Sequence, residues 1–285
     1  MSNSYKRVEK QGCTRTQALQ VCGASIPIVV GGFFAVLLVL NAVEQEKLNS
    51  DVMHFSYAPA HASAPLILDL HGAGGTPTAQ WAVSHMHECA RTQHWHIVYP
   101  AGVDNTWNAG PMMYPPASGF ADVPPTDHVK ELTHLAMELR ARLNASHVFV
   151  SGLSNGCAMS LRLGLEAPAG VVDGVSCTAH AMHADIRAPQ PTVPRPLLLL
   201  TGTDDPVFAS DDAVNRTLHE WMLNNGCSGT LNAASTIGDT TMRDASPCAE
   251  AVQHVAFQGA GHLVPLSRAG AMQCSFFEHL SHATD

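Results

Sequence analysis

The sequence predicts an α/β protein with a doubly wound, mostly parallel sheet. Apolar runs of strand length, most of them followed closely by glycine, alternate with segments whose apolar residues recur at helical spacing. Continuous apolar runs are typical of strands that are buried on both faces. Strands that alternate with helices indicate parallel pairing, with helices covering both sides of the sheet.

The elements follow one another as strand and helix pairs. The predicted strands are 64–70, 96–99, 147–150, 171–175, 196–200 and 252–257, and the predicted helices are 80–92, 127–143, 155–166, 211–224 and 266–279. Two connections are unusually long, 100–125 and 225–251. Long loops in a compact domain are often functional, and the first one follows the carboxyl end of a strand, where α/β sheets place binding clefts. We expect it to line such a cleft.

Composition and net charge indicate a globular chain and restrict the kinds of partner that it can bind. Apolar residues make up 46% of the 285 residues and charged residues only 14%, which excludes the disordered class. Leaving out residues 1–43 removes four basic residues and one acidic residue from a net charge of −9, so the remaining body has a net charge of −12. Such a body has no extended basic surface for phosphate contacts. We therefore expect no nucleic-acid partner.

An uncharged apolar segment near the amino terminus predicts a single-pass membrane anchor. Residues 21–43 contain no charged side chain, and about 20 helical residues cover the roughly 30 Å hydrocarbon core. Basic residues precede the segment and acidic residues follow it, which favours a type II arrangement with a cytoplasmic amino terminus. A cleaved signal peptide followed by secretion is the alternative. The predicted parts are a basic cytoplasmic tail (1–20), the anchor (21–43), a linker (44–60) and a folded domain (61–285).

The cysteines and two glycosylation sequons agree with translocation of the body across a membrane. Six of the eight cysteines lie in the body, and disulfide bonds persist in oxidising compartments. The tripeptides that begin at Asn144 and Asn215 match the N-glycosylation sequon. A type II anchor would place both asparagines on the lumenal or extracellular side, where they can be glycosylated.

The clearest chemical signal is a serine between two glycines. Gly152, Ser154 and Gly156 form a G-x-S-x-G sequence after the predicted strand 147–150 and before the predicted helix 155–166. This is the context of a nucleophile elbow, in which the serine occupies a sharp, strained turn and larger neighbours would collide. The helix also directs its first N–H groups toward the place where negative charge develops. We interpret Ser154 as a nucleophile.

A serine nucleophile needs a base, which is in turn oriented by a carboxylate. In α/β-hydrolases these partners follow the serine in the order Asp or Glu and then His. Asp204 and Asp205 follow the predicted strand 196–200, and His262 follows the predicted strand 252–257 among glycines. All would meet at one edge of the sheet. The order assigns His262 as the base and leaves both aspartates open as the acid.

The oxyanion hole is expected to combine two backbone N–H groups. One belongs to Asn155, the residue after the nucleophile. The other comes from the loop after the first predicted strand, 71–75, where glycines let the backbone approach closely. We expect Ala73 to supply the second N–H, with Gly74 as the alternative.

With these motifs in place, the chain resembles the lidless esterases that include polyhydroxybutyrate depolymerases and feruloyl esterases. The resembling stretches are 68–77, 98–111, 148–163, 197–208 and 259–266. The resemblance implies an α/β-hydrolase fold without a large lid domain. Because the family's GTxDP pattern falls on 202–206, it also implies Asp205 as the catalytic acid.

The same resemblance implies further contacts. It implies a disulfide bond between Cys227 and Cys248, and substrate contacts by Gly74, Trp107 and Asn108. The sequence departs from the family pattern at Met112 and Met113, at 126–128 and at 263–265. These positions belong to the presumed cleft and not to the triad, so the resemblance implies ester chemistry and leaves the substrate open.

Together, these residues predict a serine carboxylesterase that acts on a small-molecule or polymeric ester. The mechanism requires neither a metal ion nor an organic cofactor, and the N-terminal helix is expected to contact a membrane. Two alternatives stay open. One is a peptidase or thioesterase with the same triad, and the other is a catalytically silent α/β-hydrolase that serves as a binding module.

Overall fold

A computed structural model describes residues 52–58, 62–110, 126–182, 185–187, 193–205, 209–232 and 234–282. Nine strands lie within these residues: β1 (Val52–Ser56), β2 (Leu66–Leu70), β3 (His96–Pro100), β4 (Val148–Leu153), β5 (Gly174–Thr178), β6 (Leu197–Gly202), β7 (Ser235–Ile237), β8 (Thr240–Ala245) and β9 (Val252–Phe257). The α-helices of the same residues are α1 (Pro77–Ser84), α2 (Met86–Gln93), α3 (His128–Leu143), α4 (Asn155–Glu166), α5 (Asp211–Asn224) and α6 (Leu266–His282).

The strands form one sheet in the order β1-β3-β2-β4-β5-β6-β9-β8-β7. The six strands from β3 to β9 in this order are parallel. The outer strands β1, β8 and β7 are antiparallel to their neighbours. The mostly parallel sheet predicted from the sequence is therefore confirmed, and the carboxyl ends of β4, β6 and β9 lie along one edge.

Two hydrophobic clusters cover the faces of the sheet. In β2, Leu66, Leu68 and Leu70 pack in the cluster that also contains residues of α3, α4 and α5. Ile67 points to the opposite face and packs with residues of α2 and α6. Successive side chains of a strand point to opposite faces, so a strand covered on both sides needs an unbroken apolar run. This is the physical reason for the runs in the sequence.

Four elements differ from the prediction. The first is β1, which pairs with β3 although it lies within the residues expected to form the linker 44–60. The helix expected at 80–92 is two helices, α1 and α2, separated by His85 in the left-handed conformation with φ 59°. The strand expected at 171–175 begins later, at Gly174, and just before it the carboxylate of Asp173 accepts the N–H of Val148 at 2.8 Å while the backbone N–H of Asp173 donates to the carbonyl of Val148 at 2.8 Å. The long connection 225–251 contains the hairpin of β7 and β8.

Several predictions fall outside the described residues. These are the tail and anchor at 1–43, most of the linker at 44–60, and the part of the first long connection that contains Met112 and Met113. In the described part of the chain, no helix is both long enough and apolar enough to span a membrane.

Three disulfide bonds join the described elements. They are Cys89–Cys274 between α2 and α6, Cys157–Cys177 between α4 and β5, and Cys227–Cys248 in the connection after α5. The third is the pairing that the resemblance implied. Three disulfide bonds favour an oxidising, extracytoplasmic compartment.

Candidate active site

Ser154 occupies the sharp turn between β4 and α4, with φ 56° and ψ −121°. A residue with a side chain adopts such a conformation only when its surroundings enforce it. A Cβ on Gly152 would lie 2.5 Å from the carbonyl oxygen of Gly156, and a Cβ on Gly156 would lie 2.1 Å from that of Leu70. The two glycines therefore let α4 start directly against the end of β2, which forces the turn at Ser154.

The side chains of Ser154, His262 and Asp205 form a hydrogen-bonded line. Nε2 of His262 lies 3.0 Å from Oγ of Ser154, and Nδ1 of His262 lies 2.8 Å from Oδ2 of Asp205. A neutral imidazole with its proton on Nδ1 can donate to the carboxylate and accept the serine hydroxyl proton through Nε2. The parallel strands bring the three residues together, because each follows the carboxyl end of β4, β6 or β9.

The two candidate aspartates occupy different environments. Asp205 is buried, with 1% of its side chain exposed, and it faces His262. Asp204 is exposed and accepts a hydrogen bond from the hydroxyl of Thr203 at 3.2 Å. The structure therefore brings Asp205, and not its neighbour, to the imidazole.

The loop after β2 lies beside the start of α4. Gly74 has φ 71°, and its N–H donates to the carbonyl of Asn105 at 2.7 Å. This bond occupies the N–H of the alternative donor, which favours Ala73. Asn155 opens α4, where the first N–H groups of a helix have no intrahelical partner. The oxyanion roles of Ala73 and Asn155 stay predictions.

Two of the three residues expected to contact substrate, Trp107 and Asn108, lie in the segment after β3, and the third, Gly74, lies in the loop after β2. Trp107 is buried, with 1% of its surface exposed, and its indole Nε1 donates to the carbonyl of His71 at 2.8 Å. The backbone N–H of Asn108 donates to Nδ1 of His128 at 2.8 Å, and its side-chain amide donates to the carbonyl of Thr126 at 3.1 Å. All three bonds join these residues to other groups of the protein. Substrate contact by Trp107, Asn108 and Gly74 stays a prediction.

Two histidines that the sequence analysis did not assign support this region. His71 is fully buried, and burial lowers its pKa to about 4, so its ring is neutral near pH 7. Its Nδ1 donates to the carbonyl of Gly72 at 2.8 Å, and its Nε2 accepts the N–H of Gly102 at 2.9 Å. Burial also lowers the pKa of His128. The signal that could have found His71 is its place directly after β2, a strand whose five residues are all buried.

The remaining assigned positions lie away from the triad. Asn144 is exposed at the end of α3, and Asn215 is exposed on α5, where its Oδ1 accepts a hydrogen bond from Arg243 at 3.2 Å. Both asparagines are accessible, and their glycosylation stays a prediction. Within the described ranges, no group of three or more His, Cys, Asp or Glu side chains is placed to hold a metal ion.

Comparison with solved structures identifies the fold. The acetyl xylan esterase from Aspergillus awamori matches with a TM-score of 0.57 at 14% identity, over 80% of this chain and 94% of that chain. A Bacillus cereus carboxylesterase matches with a TM-score of 0.55 at 14% identity, over 85% of this chain and 98% of that chain. This chain has the α/β-hydrolase fold.

Sequence comparison adds a match over part of the chain. The protein named "Putative esterase NocK" from Nocardia uniformis subsp. tsuyamanensis is 32% identical over 150 residues, which are 52% of this chain and 42% of that protein. The chain thus spans less than half the length of that relative. No family model matches the chain. The geometry of the site therefore carries the inference of activity for this chain.

Proposed function

We propose that this α/β-hydrolase is a serine carboxylesterase, with Ser154 as nucleophile, His262 as general base and acid, and Asp205 as the orienting carboxylate. The observation that carries the proposal is the line of hydrogen bonds from Ser154 through His262 to Asp205, at 3.0 Å and 2.8 Å. The strained backbone of Ser154 supports it, because a nucleophile elbow needs that conformation. The local similarity to a protein named as an esterase agrees with it.

The reaction proceeds through an acyl-enzyme. Oγ of Ser154 forms a bond to the ester carbonyl carbon while its proton moves to Nε2 of His262. The tetrahedral intermediate then loses the alcohol as the C–O bond breaks and His262 returns the proton to the leaving oxygen. Water attacks the acyl-enzyme with His262 again as base, which releases the carboxylic acid and restores Ser154. Asp205 holds the imidazole and stabilises its charged form.

The oxyanion that forms on the carbonyl oxygen needs donors in fixed positions. We assign these to the backbone N–H groups of Ala73 and Asn155. Preorganised donors of this kind contribute strongly to catalysis, and the loss of one costs on the order of 10²–10³ in kcat.

The substrate class we propose is a carboxylic ester, either small or polymeric. The resemblance of the motifs to polyhydroxybutyrate depolymerases and feruloyl esterases makes hydroxybutyrate and ferulate esters the first to test. The same triad also serves peptidases and thioesterases, so amides and thioesters belong in the same panel.

A fluorophosphonate probe tests the nucleophile on the intact protein. We expect covalent labelling on the peptide that contains Ser154 and none in Ser154→Ala, as read by mass spectrometry. Hydrolysis is then measured on p-nitrophenyl esters of increasing chain length, methyl ferulate, a hydroxybutyrate oligomer, a peptide and a thioester. If Ser154 is not labelled, the remaining interpretation is a catalytically silent binding module. If turnover is confined to peptides or thioesters, the protein is a peptidase or a thioesterase and not an esterase.

We also propose a type II membrane setting, with the body on the lumenal or extracellular side. The three disulfide bonds and the uncharged segment 21–43 support it. In sealed microsomes, an added protease should digest the body only after detergent is added. Digestion without detergent would reverse the orientation, and recovery of a shortened chain free in the lumen would favour signal cleavage and secretion.

A further inference from the structure

The segment 101–110, which we call the Trp107 loop, lies between the two backbone positions proposed as oxyanion donors. Ala73 belongs to the loop after β2, and Asn155 is the first residue of α4. The two donors thus come from different elements. The distance between the two N–H groups therefore depends on the contacts that join the loop after β2 to the start of α4.

On one side, the Trp107 loop is bonded to the residues around Ala73. The indole Nε1 of Trp107 donates to the carbonyl of His71 at 2.8 Å, and the N–H of Gly102 donates to Nε2 of His71 at 2.9 Å. The N–H of Gly74 donates to the carbonyl of Asn105 at 2.7 Å. These bonds fix the backbone on both sides of Ala73.

On the other side, the same loop is bonded to the side chain of Asn155. Oδ1 of Asn155 accepts the N–H of Trp107 at 2.7 Å and the hydroxyl of Thr106 at 3.1 Å. Nδ2 of Asn155 donates to the carbonyl of Trp107 at 3.1 Å. The backbone N–H and the backbone carbonyl of Trp107 are therefore both hydrogen-bonded to the side chain of Asn155. The backbone N–H of Asn155 is itself the second proposed oxyanion donor.

We propose that Trp107 is a positioning residue that sets the separation of the two oxyanion donors, with the Asn155 amide as its partner. The proposal rests on the proposed esterase function. The backbone of Trp107 is tied to Asn155 and its indole to His71, so this one residue bridges the two elements. Its ring also packs between two histidine rings, with centroids 4.9 Å from His71 and 5.2 Å from His128.

Burial makes this bridge hard to replace. Trp107 is 1% exposed and Asn155 is 0% exposed, so water has little access to the bonds between them. Oxyanion donors act within about 2.7–3.1 Å of the oxyanion, and a misplacement of about 1 Å can cost about 10²-fold in rate. Loss of the indole N–H should therefore lower kcat by about 10-fold to 100-fold without a comparable change in KM.

The chain offers a matched pair of variants. Trp107→Phe keeps an aromatic ring and removes the donor to His71. Trp221→Phe makes the same change at a fully buried tryptophan of α5, whose Nε1 has no hydrogen-bond partner among the described residues. Both variants lose similar buried volume, and only the first loses a bond to the oxyanion loop. The melting temperatures of both variants should lie close together, which would show that both fold.

Kinetics and a boronic acid form the first readout. In Trp107→Phe, kcat for a p-nitrophenyl ester should fall by about 10-fold to 100-fold, and the Ki of an alkylboronic acid should rise by a similar factor, because its tetrahedral adduct occupies the oxyanion hole. Trp221→Phe should retain both values. A kcat for Trp107→Phe equal to that of Trp221→Phe would overturn the proposal.

Amide hydrogen exchange is a second readout that does not depend on turnover. In the full-length protein, peptides that cover 70–76 should exchange faster in Trp107→Phe than in wild type and should be unchanged in Trp221→Phe. A wild type that hydrolyses no ester would remove the proposed function, while hydrogen exchange would still decide whether Trp107 holds this loop. Equal exchange in all three proteins would overturn the bridge itself.

A second variant covers the case in which Trp107→Phe does not fold. Asn155→Asp keeps the acceptor for the N–H of Trp107 but replaces the amide that donates to its carbonyl. It should lower kcat with little change in KM and accelerate exchange over 101–110. A wild-type kcat in a folded Asn155→Asp variant would contradict the role of the amide.

Discussion

Gly202, the last residue of β6, lies directly against the loop that carries His262, because a Cβ on Gly202 would come within 2.2 Å of the carbonyl oxygen of Ala260. The same carbonyl accepts the N–H of Asp204 at 2.9 Å. The strand that leads to Asp205 and the loop that leads to His262 thus touch through backbone atoms. The backbone next to the triad therefore helps to set the distance between acid and base.

Gly202→Ala should push the His262 loop away from β6. The new Cβ would clash with the backbone of Ala260, which cannot change rotamer as a side chain can. The clash must therefore displace the loop or destabilise the fold. We expect kcat to fall by about 10-fold or more, since catalysis depends on the placement of the base. Gly238→Ala is the control, because a Cβ there meets nothing within 4 Å and only the positive φ of 62° adds a cost of about 1–2 kcal/mol. Full activity of a folded Gly202→Ala variant would show that the contact does not position His262.

The triad should behave as one unit. Ser154→Ala and His262→Ala are each expected to remove most of the activity, and the double variant should lose little more, because neither residue works without the other. The measurement is kcat/KM of the two single variants and the double variant on one p-nitrophenyl ester. Losses that multiply in the double variant would contradict a shared mechanism.

The neighbouring aspartates provide a matched comparison. Asp205→Asn should keep the fold and lower kcat by about 10⁴, by analogy with the serine protease triad, because an amide cannot support the charged imidazole in the same way. Asp204→Asn changes an exposed residue that does not face His262, so activity should be retained. The reverse result would move the acid to Asp204.

The elbow was predictable from the sequence because local sterics dictate it. Gly152 and Gly156 are required at fixed offsets from Ser154, and the flanking strand and helix have clear apolar patterns. The hairpin of β7 and β8 left no such pattern. All three residues of β7 are exposed at the edge of the sheet, so burial imposes no alternation on them.

Long-range pairings were less predictable. Cys89 and Cys274 are 185 residues apart and meet only because α2 packs on α6, which cysteine number alone does not reveal. Trp107 was expected to contact substrate, yet its described bonds reach the backbone of His71 and the amide of Asn155. A motif marks such a residue as constrained without showing which partner constrains it.

The disulfide bond between Cys227 and Cys248 should stabilise the connection after α5. It closes a loop with a sequence separation of 21, for which chain entropy gives about 3 kcal/mol. Replacing both cysteines by serine should therefore lower the free energy of unfolding by about that amount, as measured by urea denaturation under non-reducing conditions. The triad lies elsewhere, so kcat should be retained. Unchanged stability, or free thiols at both positions in the wild-type protein, would contradict the expectation.

Asp69 should make the stability of the fold depend on pH. It is a carboxyl group in the apolar strand β2 with 1% of its surface exposed, and its Oδ1 accepts hydrogen bonds from Gln80 at 2.8 Å and Ser151 at 2.9 Å. Burial raises its pKa to about 6, more than these donors lower it. A carboxyl group whose pKa is higher in the folded chain than in the unfolded chain, where it is near 3.8, favours folding in its protonated form.

The cost of ionising Asp69 in the folded state should thus appear as pH rises from about 4 to about 6 and stay constant above that range. A pKa difference from 3.8 to about 6 corresponds to about 3 kcal/mol. Asp69→Asn imitates the protonated carboxyl group and still offers an oxygen to Gln80 and Ser151. Relative to wild type, this variant should therefore gain about 3 kcal/mol in free energy of unfolding between pH 3 and pH 7, as measured by urea denaturation at each pH. The other titrating groups are common to both proteins, so their contributions cancel when the two free energies of unfolding are subtracted. If that difference does not vary with pH, the carboxyl group of Asp69 is not the source of a pH-dependent stability.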